Sequence, residues 1–461
     1  MQAIALILAA GKGTRMKSEL IKVLHPILGK AMVMWPIHAA QEAGLKPCLV
    51  VGHQEEKVRT ALATEDLLFA RQAVPRGTGD AVLSAFDVLP KEGVVLVCCG
   101  DTPLLRTQTL SMLMDAHQGS LATVLTAKID EPAAYGRIVR DEQGHVQEIV
   151  EASEATQEQL SIQEINTGCY VFDIAWLRTV LPTFQPHQPK NEIYLTDAIA
   201  HAAKEGKAKS LLLKDFDECQ GVNDRWALAQ ASKILQQRVL KTHALAGVTF
   251  EDPDSNHVDA SVRFEAEVVV ERGAILRGKT EIGSHVRIGA YSVIENSFVR
   301  EEVEILPHCH IVHSKIGSNT RIGPFARLRE GTVLSQSCRI GNFVETKKSV
   351  LEKGAKVNHL SYVGDAHIGE DVNVGAGTIT CNYDGFQKYK TVIENGAFIG
   401  SNSALVAPVR IGKGAIVGAG STITQDVLSD SIAVVRPEQK TLEGAATRFR
   451  VRAKAKKERE S

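Results

Sequence analysis

Apolar positions keep one rhythm in the first half of this chain and another in the second. Residues 3–8 (AIALIL) form a continuous apolar run ending in Ala9-Ala10-Gly11. That is the pattern of a strand buried on both faces and followed by a turn. Helical and strand patterns then alternate: helix over 32–43, strand over 47–51, helix over 55–63, strand over 67–70, helix over 78–89, strand over 94–98. A hairpin of 137–140 and 145–150 around Gly144 interrupts the series. The alternation predicts a mostly parallel α/β sheet. Ligands of such a sheet lie beyond the carboxyl ends of its strands.

From Asp224 the pattern changes. Asp224 is placed to cap a helix running to about Ala246, with Gly247 after it and Leu228, Ala231, Leu235 and Val239 on one face. A helix of about 20 residues spans about 30 Å, the length of a rigid arm between two domains. From about Ala260 an aliphatic residue followed by Gly recurs, at Ile282, Ile288, Ile316, Ile322, Ile340, Ile368, Val374, Ile399, Ile411 and Val417. Several of the gaps are six, 12 or 18 residues, the signature of a hexapeptide β-helix. In such a coil the aliphatic side chain points inward, and the small residue after it allows the corner. The 25-residue gap between Val374 and Ile399 is not a whole number of hexads, and it holds the polar, aromatic loop Asn382-Tyr383-Asp384-Gly385. A regular solenoid has no need of such a loop, which makes it the place to look for function. The expected domains are 1–225, a helical linker 226–246 and a β-helix 247–461 with a basic tail. From Arg436 that tail carries nine basic against four acidic residues, and its last dozen residues are expected to be solvated and partly disordered.

Composition narrows the classes. A chain of 461 residues is too long for one ordinary core. The net charge of -1 gives no support for nucleic-acid binding. The eight cysteines show no paired metal spacing, and no apolar run is long enough to span a membrane. The first 13 residues are too short for a signal peptide and run into a glycine loop. The expectation is a cytoplasmic protein with reduced thiols.

The first loop, Leu8-Ala9-Ala10-Gly11-Lys12-Gly13-Thr14-Arg15-Met16 with Lys22 beyond, is neither a P-loop nor a dinucleotide fingerprint. It offers a strand end, backbone N–H groups at two glycines, and two cations, a set able to hold nucleoside triphosphate phosphates. An ordinary tight turn with solvent-facing Lys and Arg is the equal alternative. Asp101, after Gly100 at another strand end, suits a hard cation with phosphate partners. It also suits a helix N-cap for the segment from Thr102. Gln72 with Gly77-Thr78-Gly79 adds backbone donors at a third strand end, and Glu151, Asn166 and Asn223 add polar groups fit for a sugar or a metal.

In the β-helix two chemistries compete. One is acyl transfer from a thioester cofactor. The other is a metal site of histidines on neighbouring coils, with His308, His310 and His313 as ligands. Alternation within a strand puts His308 and His310 on one face and His313 on the other, so these three read as polar residues of an irregular coil. His359, in KVNHLSYVGD, has better company: Arg329, Lys347, Tyr362 and Asn373 fall along the same few coils. A neutral imidazole there could take the proton from an amine attacking a thioester. Arg329 and Lys347 are 18 residues apart, so they should stack as a basic patch for a sugar phosphate. Cys381 has no base beside it in sequence and reads as a bystander.

The motifs LAAGKGTRM with Lys22, GTGDA, GD, YGRI, IVE, EINTG and GVN, in that order, resemble those of the sugar nucleotidyltransferases. With a hexapeptide domain behind them, nearly the whole chain resembles the bacterial bifunctional N-acetylglucosamine-1-phosphate uridyltransferase/glucosamine-1-phosphate N-acetyltransferases. The resemblance implies a Rossmann-like α/β nucleotidyltransferase domain followed by a left-handed parallel β-helix. It implies UTP on Leu8, Ala9, Ala10, Gly11 and Lys22, with Cys99 and Gly100 beside it and uracil near Gln72, Gly77 and Thr78. It implies N-acetylglucosamine phosphate near Gly136, Glu151 and Asn166, and Mg²⁺ held by Asp101 and Asn223. In the β-helix, GPFARLR, FVETKK and NHLSY imply His359 as base and Arg329, Lys347, Tyr362 and Asn373 as substrate ligands. Acetyl-CoA contacts carry over to Ala376, Asn382, Tyr383, Ser401, Ala419 and Arg436, and a homotrimer is implied. A single nucleotidyltransferase activity with a regulatory β-helix is the alternative, and a non-catalytic regulatory subunit a third. Two positions depart from the pattern. Ile21 stands where Pro precedes the lysine, which predicts a less stiff loop, and Asp80 stands where relatives carry His.

Overall fold

The computed structural model describes residues 3–460. Two compact units divide at Val239 and Leu240. In the first, strands run in the order Ala208–Leu213, Ala122–Lys128, Glu164–Asp173, Val94–Cys99, Ala3–Leu8, Lys46–Val51, Leu68–Arg71. Ala3–Leu8 pairs in parallel with both Val94–Cys99 and Lys46–Val51, and Leu8 lies level with Cys99 and Val50. The loops after Leu8 and Cys99 therefore leave the same edge of the sheet side by side. Ile4 and Leu6 are buried on one face, and Ala5 and Ile7 on the other, each face having its own core. That two-sided burial is why the run is continuous rather than alternating. Glu164–Asp173 is antiparallel to both neighbours, a direction that no hydrophobic period encodes. The hairpin forms between Arg137–Arg140 and Val146–Val150. The helix from Thr78 ends at Leu83 and gives way to turns.

The Asp224 carboxylate accepts the N–H of Ala227 at 2.9 Å and caps the helix Arg225–Leu245, after which Gly247 turns the chain at φ +101°. Ala231, Leu235 and Leu240 of this helix are buried, while Leu228 and Val239 are half-buried. Within the first unit the Arg225 guanidinium donates to Met16 O at 3.1 Å, and Arg238 donates to Leu104 O at 2.6 Å. Residues 225–239 are thus part of the first unit's packing.

The second unit is a parallel β-helix whose coils contribute to three sheets, of 11, 10 and 9 strands among the described residues. Its first strand is Thr249–Phe250, earlier than the hexad predicts, because the opening coil fills its interior with Val258 and Val262 and has no aliphatic-Gly pair. Most coils are 17 or 18 residues long: Arg321 pairs with Arg339, and Arg339 with Lys356. At the two ends the spacing changes, Thr249 pairing with Val269 and Ile416 with Ile432. The 17-residue coils explain why the gap from Ile340 to Ile368 is no whole number of hexads. Val374 pairs with Ile399, so the out-of-beat stretch is a single enlarged coil. The corners use left-handed backbone, at His308 (φ 61°) and His313 (φ 45°) among others. This overturns the face argument for the histidines, since only His310 lies in a strand. His308 is stacked between Tyr291 and Phe325, with ring centroids 5.4 and 4.9 Å away. The tail also departs from expectation: Ala445–Glu460 is helical, rich in the helix formers Ala, Arg, Lys and Glu. Among the described residues no helix is long and apolar enough to cross a membrane.

The inward aliphatic column is the unit's stabilising element, so Ile340→Ala should be costly. Its side chain is 1 % exposed and pairs with Ile322 and Val357 on the adjacent coils. The expected loss is about 2–5 kcal/mol, read from the β-helix transition in denaturant; a loss near zero would move the stabilisation elsewhere.

Candidate functional site

At the carboxyl edge of the first sheet, the Lys22 ammonium makes an ion pair with Asp101 and lies 3.3 Å from Asn223 Oδ1. Arg15 donates to the same Asn223 oxygen at 2.8 Å. Gly13 makes this possible: it sits at φ +62°, and a Cβ there would stand 2.5 Å from Lys22 Cβ. Ile21, where the family pattern has Pro, has φ -58° and is 3 % exposed in the core. It adopts the torsion that Pro would impose, so Lys22 is delivered without the ring. Asp101 is not a helix cap, because the next helix begins at Thr107 with Arg106 before it. Asp101 and Asn223 present two hard oxygens to one cation. Both are ligand types suited to Mg²⁺. Among the described residues no three His, Cys, Asp or Glu side chains converge on a metal site. Two oxygens from the chain would leave most positions of an octahedral ion to phosphates and water.

Arg15 also lines a cleft of about 650 Å³, together with Leu8, Ala10, Gly11, Gln72, Gly77, Thr78 and Glu151. Ala9 lies buried beneath, its N–H donated to Val50 O. The Gly100 N–H is donated to Leu8 O at 2.9 Å, which ties the two loops together. Burial pushes the Cys99 thiol up to about 12, with the Asp101 carboxylate adding to the shift. Gly136 O accepts the Asn166 N–H at 2.8 Å, and the Asn166 side chain donates to Tyr170 Oη at 2.8 Å. Burial, and then the neighbouring Glu154, hold the Glu151 carboxyl above its usual range. Gly79 does not serve as expected. Its N–H is donated to Ile193 O at 2.8 Å, and a Cβ on Gly77 (φ +97°) would meet the same oxygen at 2.5 Å. These glycines admit the 190–195 segment, which brings Lys190, Glu192 and Tyr194 to the cleft. The sequence reading missed those three; the cationic Lys190 ahead of an acidic and an aromatic residue was the available signal.

On the β-helix, His359 lies at the end of the strand Lys356–His359, and its Nδ1 is 2.9 Å from Asn342 Oδ1 on the preceding coil. An amide oxygen only accepts, so Nδ1 carries the proton and Nε2 keeps its lone pair. Asn342 was not singled out from sequence. A polar residue in the strand run after Gly341 was its only mark. The same corner continues upward. The Gly377 N–H reaches His359 O at 3.3 Å, Asn402 N–H reaches Ala376 O at 2.7 Å, Gly420 N–H reaches Ser401 O at 2.8 Å, and Arg436 donates to Ala419 O at 2.9 Å. His359, Ala376, Ser401, Ala419 and Arg436 therefore fall along one column. Asn382 is buried and donates to Asp365 at 2.5 Å, while Tyr383 is exposed and donates to Gly385 O at 2.6 Å.

Arg329, Lys347 and Tyr362 lie on adjoining coils of one sheet, whereas Asn373 lies on the neighbouring sheet. The basic patch is not purely basic. Arg329 pairs with Glu345 at 2.9 Å and Lys347 with Glu330 at 3.1 Å. Cys381 sits in a ladder opposite Val406. A larger groove of about 740 Å³ on the third sheet contains none of the candidate site residues.

Comparison with known proteins agrees with this division. Residues 5–164 match the family described as MobA-like NTP transferase domain. Residues 258–344 match the GMPPB C-terminal domain, and 390–425 match bacterial transferase hexapeptide (six repeats). A protein of Pelobacter propionicus named bifunctional protein GlmU is 44% identical over 98% of this chain and 99% of its own. Proteins of the same name from Trichlorobacter lovleyi and an Exiguobacterium species are each 45% identical, over 94% and 97% of this chain and 96% and 100% of theirs.

The His359 tautomer is open to measurement. At alkaline pH, imidazole nitrogen shifts should report the proton on Nδ1, and Asn342→Ala should remove that bias. Identical spectra for the two proteins would mean that Asn342 does not orient the ring.

Proposed function

This chain belongs to the bifunctional GlmU family, and we infer that it makes UDP-N-acetylglucosamine by two successive transfers. It acetylates glucosamine-1-phosphate from acetyl-CoA. It then transfers UMP from UTP to N-acetylglucosamine-1-phosphate and releases pyrophosphate. The observation that carries the reading is His359, held by Asn342 with Nε2 free, on the column that includes Ala376, Ser401 and Ala419. A β-helix that only regulated or oligomerised would have no use for an oriented imidazole there.

In the acetyl transfer, His359 Nε2 takes a proton from the sugar amine as its nitrogen attacks the thioester carbonyl. The C–S bond breaks, an amide forms, and the proton leaves with the thiol of CoA. Arg329 and Lys347 hold the sugar phosphate, with Tyr362 and Asn373 as further substrate contacts. Asn382, Tyr383, Ser401, Ala419 and Arg436 hold the cofactor. Trimers complete this site. Arg329 and Asn373 face different sides of one prism, and a prism alone offers little concave surface. The exposed ladder Tyr291, Phe325, Phe343 supports association of copies.

The uridyl transfer, in residues 1–225 with the helix after them, needs no general base, because the attacking sugar phosphate oxygen is already anionic. Positioning and charge neutralisation do the rest. Mg²⁺ bound by Asp101 and Asn223 would neutralise triphosphate charge. Lys22 and Arg15 bind phosphate oxygens, Gln72 and Thr78 face the base, and Glu151 and Asn166 face the sugar. The enzyme acts on small molecules in the cytoplasm.

Supplied with glucosamine-1-phosphate and UTP, the intact enzyme should form UDP-N-acetylglucosamine only when acetyl-CoA is added. Asp101→Asn should abolish uridyl transfer and spare acetyl transfer. His359→Ala should do the converse, with an acetyl-transfer loss of about 10²–10⁴-fold. A single mutation that removed both activities from a folded protein would defeat the two-site reading. For the shared site, Arg329→Ala subunits mixed with Asn373→Ala subunits should recover acetyl transfer; no recovery in verified mixed trimers would place each site within one chain.

A further inference from the structure

We propose that Asp80 decides which atom of Gln72 faces the pyrimidine, and so makes the cleft accept uracil and refuse cytosine. The inference rests on the reading of this cleft as the UTP site and goes further, to the origin of its base preference.

Gln72 follows the strand Leu68–Arg71, and its own N–H is tied to Val51 O at 2.8 Å. The side chain is 6 % exposed and lines the cleft. Its amide nitrogen lies 2.8 Å from Asp80 Oδ2 and 3.2 Å from Gly77 O. A carboxylate and a carbonyl can only accept, so the amide must present its NH₂ to this pair. Both amide hydrogens are then used, and Oε1 is the atom left for the cleft. The reverse orientation would set Oε1 against two other oxygens.

Asp80 is itself fixed. It is 7 % exposed, and its second oxygen receives two hydrogen bonds from Arg76, from Nη2 at 2.8 Å and Nε at 3.2 Å. Such a two-pronged guanidinium contact holds the carboxylate in place. The order of control runs from Arg76 to Asp80 to Gln72. An acceptor oxygen facing the base pairs with the N3–H of uracil and opposes the N3 lone pair of cytosine. A site built for one hydrogen-bond pattern discriminates strongly against its inverse, because the mismatched groups are left unpaired. Asp80 is a positioning residue here, acting through Gln72 and not on the substrate.

The test uses the full-length enzyme and compares UTP with CTP as nucleotide donor to N-acetylglucosamine-1-phosphate. In Asp80→Asn, a side chain of equal size, Arg76 takes the new amide oxygen and leaves its NH₂ facing Gln72. Gln72 then meets an NH₂ on one side and Gly77 O on the other, so the single orientation that Asp80 enforces is lost and its NH₂ can face the base. The ratio of kcat/KM for UTP over CTP should fall at least tenfold, through KM, with CTP turnover rising in absolute terms. In Asp80→His, a ring nitrogen can still accept from Gln72, and the preference for UTP should persist. An unchanged ratio in a folded Asp80→Asn protein overturns the proposal, as does an equal loss with both nucleotides. So does loss of preference in Asp80→His, which also decides the matter if Asp80→Asn fails to fold. Failure of the wild-type enzyme to use UTP at all would instead remove the underlying reading of the cleft.

Discussion

Parallel backbone pairing between successive coils is what sets residues far apart in sequence, most often 17 or 18 positions and once 25, over one another in the second unit. Asn342 comes to lie against His359 because Ile340 pairs with Val357 and the ladder runs on. The inward aliphatics hold that register, since a slip of one residue would turn every one of them outward. The enlarged coil is the severest case. Its extra residues leave the prism after Cys381 and are closed off by the Tyr389 N–H on Asn382 O at 2.9 Å. The return to register at Ile399 then restores Ser401 to the corner above Ala376. A loop can be added to this scaffold without disturbing the column because the ladder resumes on both sides of it.

In the first unit the controlling contact is the one between Lys22 and Asp101. It exists because two parallel neighbours, Ala3–Leu8 and Val94–Cys99, end level with each other. The turn after Asp101 releases it from capping. Thr102 directs its own hydroxyl onto Cys99 O at 2.7 Å, and the helix waits until Thr107. A carboxylate at a strand end with no cap to make is left to a cation. Lys22 supplies that cation.

What the sequence made legible was what leaves a local trace. The strand Ala3–Leu8, the capped helix from Arg225 and the enlarged coil each carry their signal within a few residues. Asp101 and His359 stood out in the sequence because each sits at a break in a strong pattern. Direction and partnership were not. Nothing periodic distinguishes the antiparallel strand Glu164–Asp173 from its neighbours. Asn342, Lys190 and Tyr194 acquire meaning only from contacts that the fold creates. Gly79 misled for the same reason: its N–H looked free for a ligand until Ile193 arrived from over a hundred residues away.

On the proposed reading, the neutralised patch around Arg329 and Lys347 would govern how a sugar phosphate is bound. Two cations already paired with Glu345 and Glu330 offer a weaker field than the bare residues would. Exposed pairs of this kind contribute little to stability, so a phosphate dianion, with stronger charge-assisted bonds, could displace the carboxylates. The exposures favour that exchange: the Lys347 side chain is 16% exposed and that of Glu330 46%, so Glu330 can swing into water while Lys347 stays. Glu330 lies 3.7 Å from Arg329 and 3.1 Å from Lys347, so it restrains both cations, and less side-chain freedom would be lost on binding. Weak pairing, on this argument, serves orientation rather than stability.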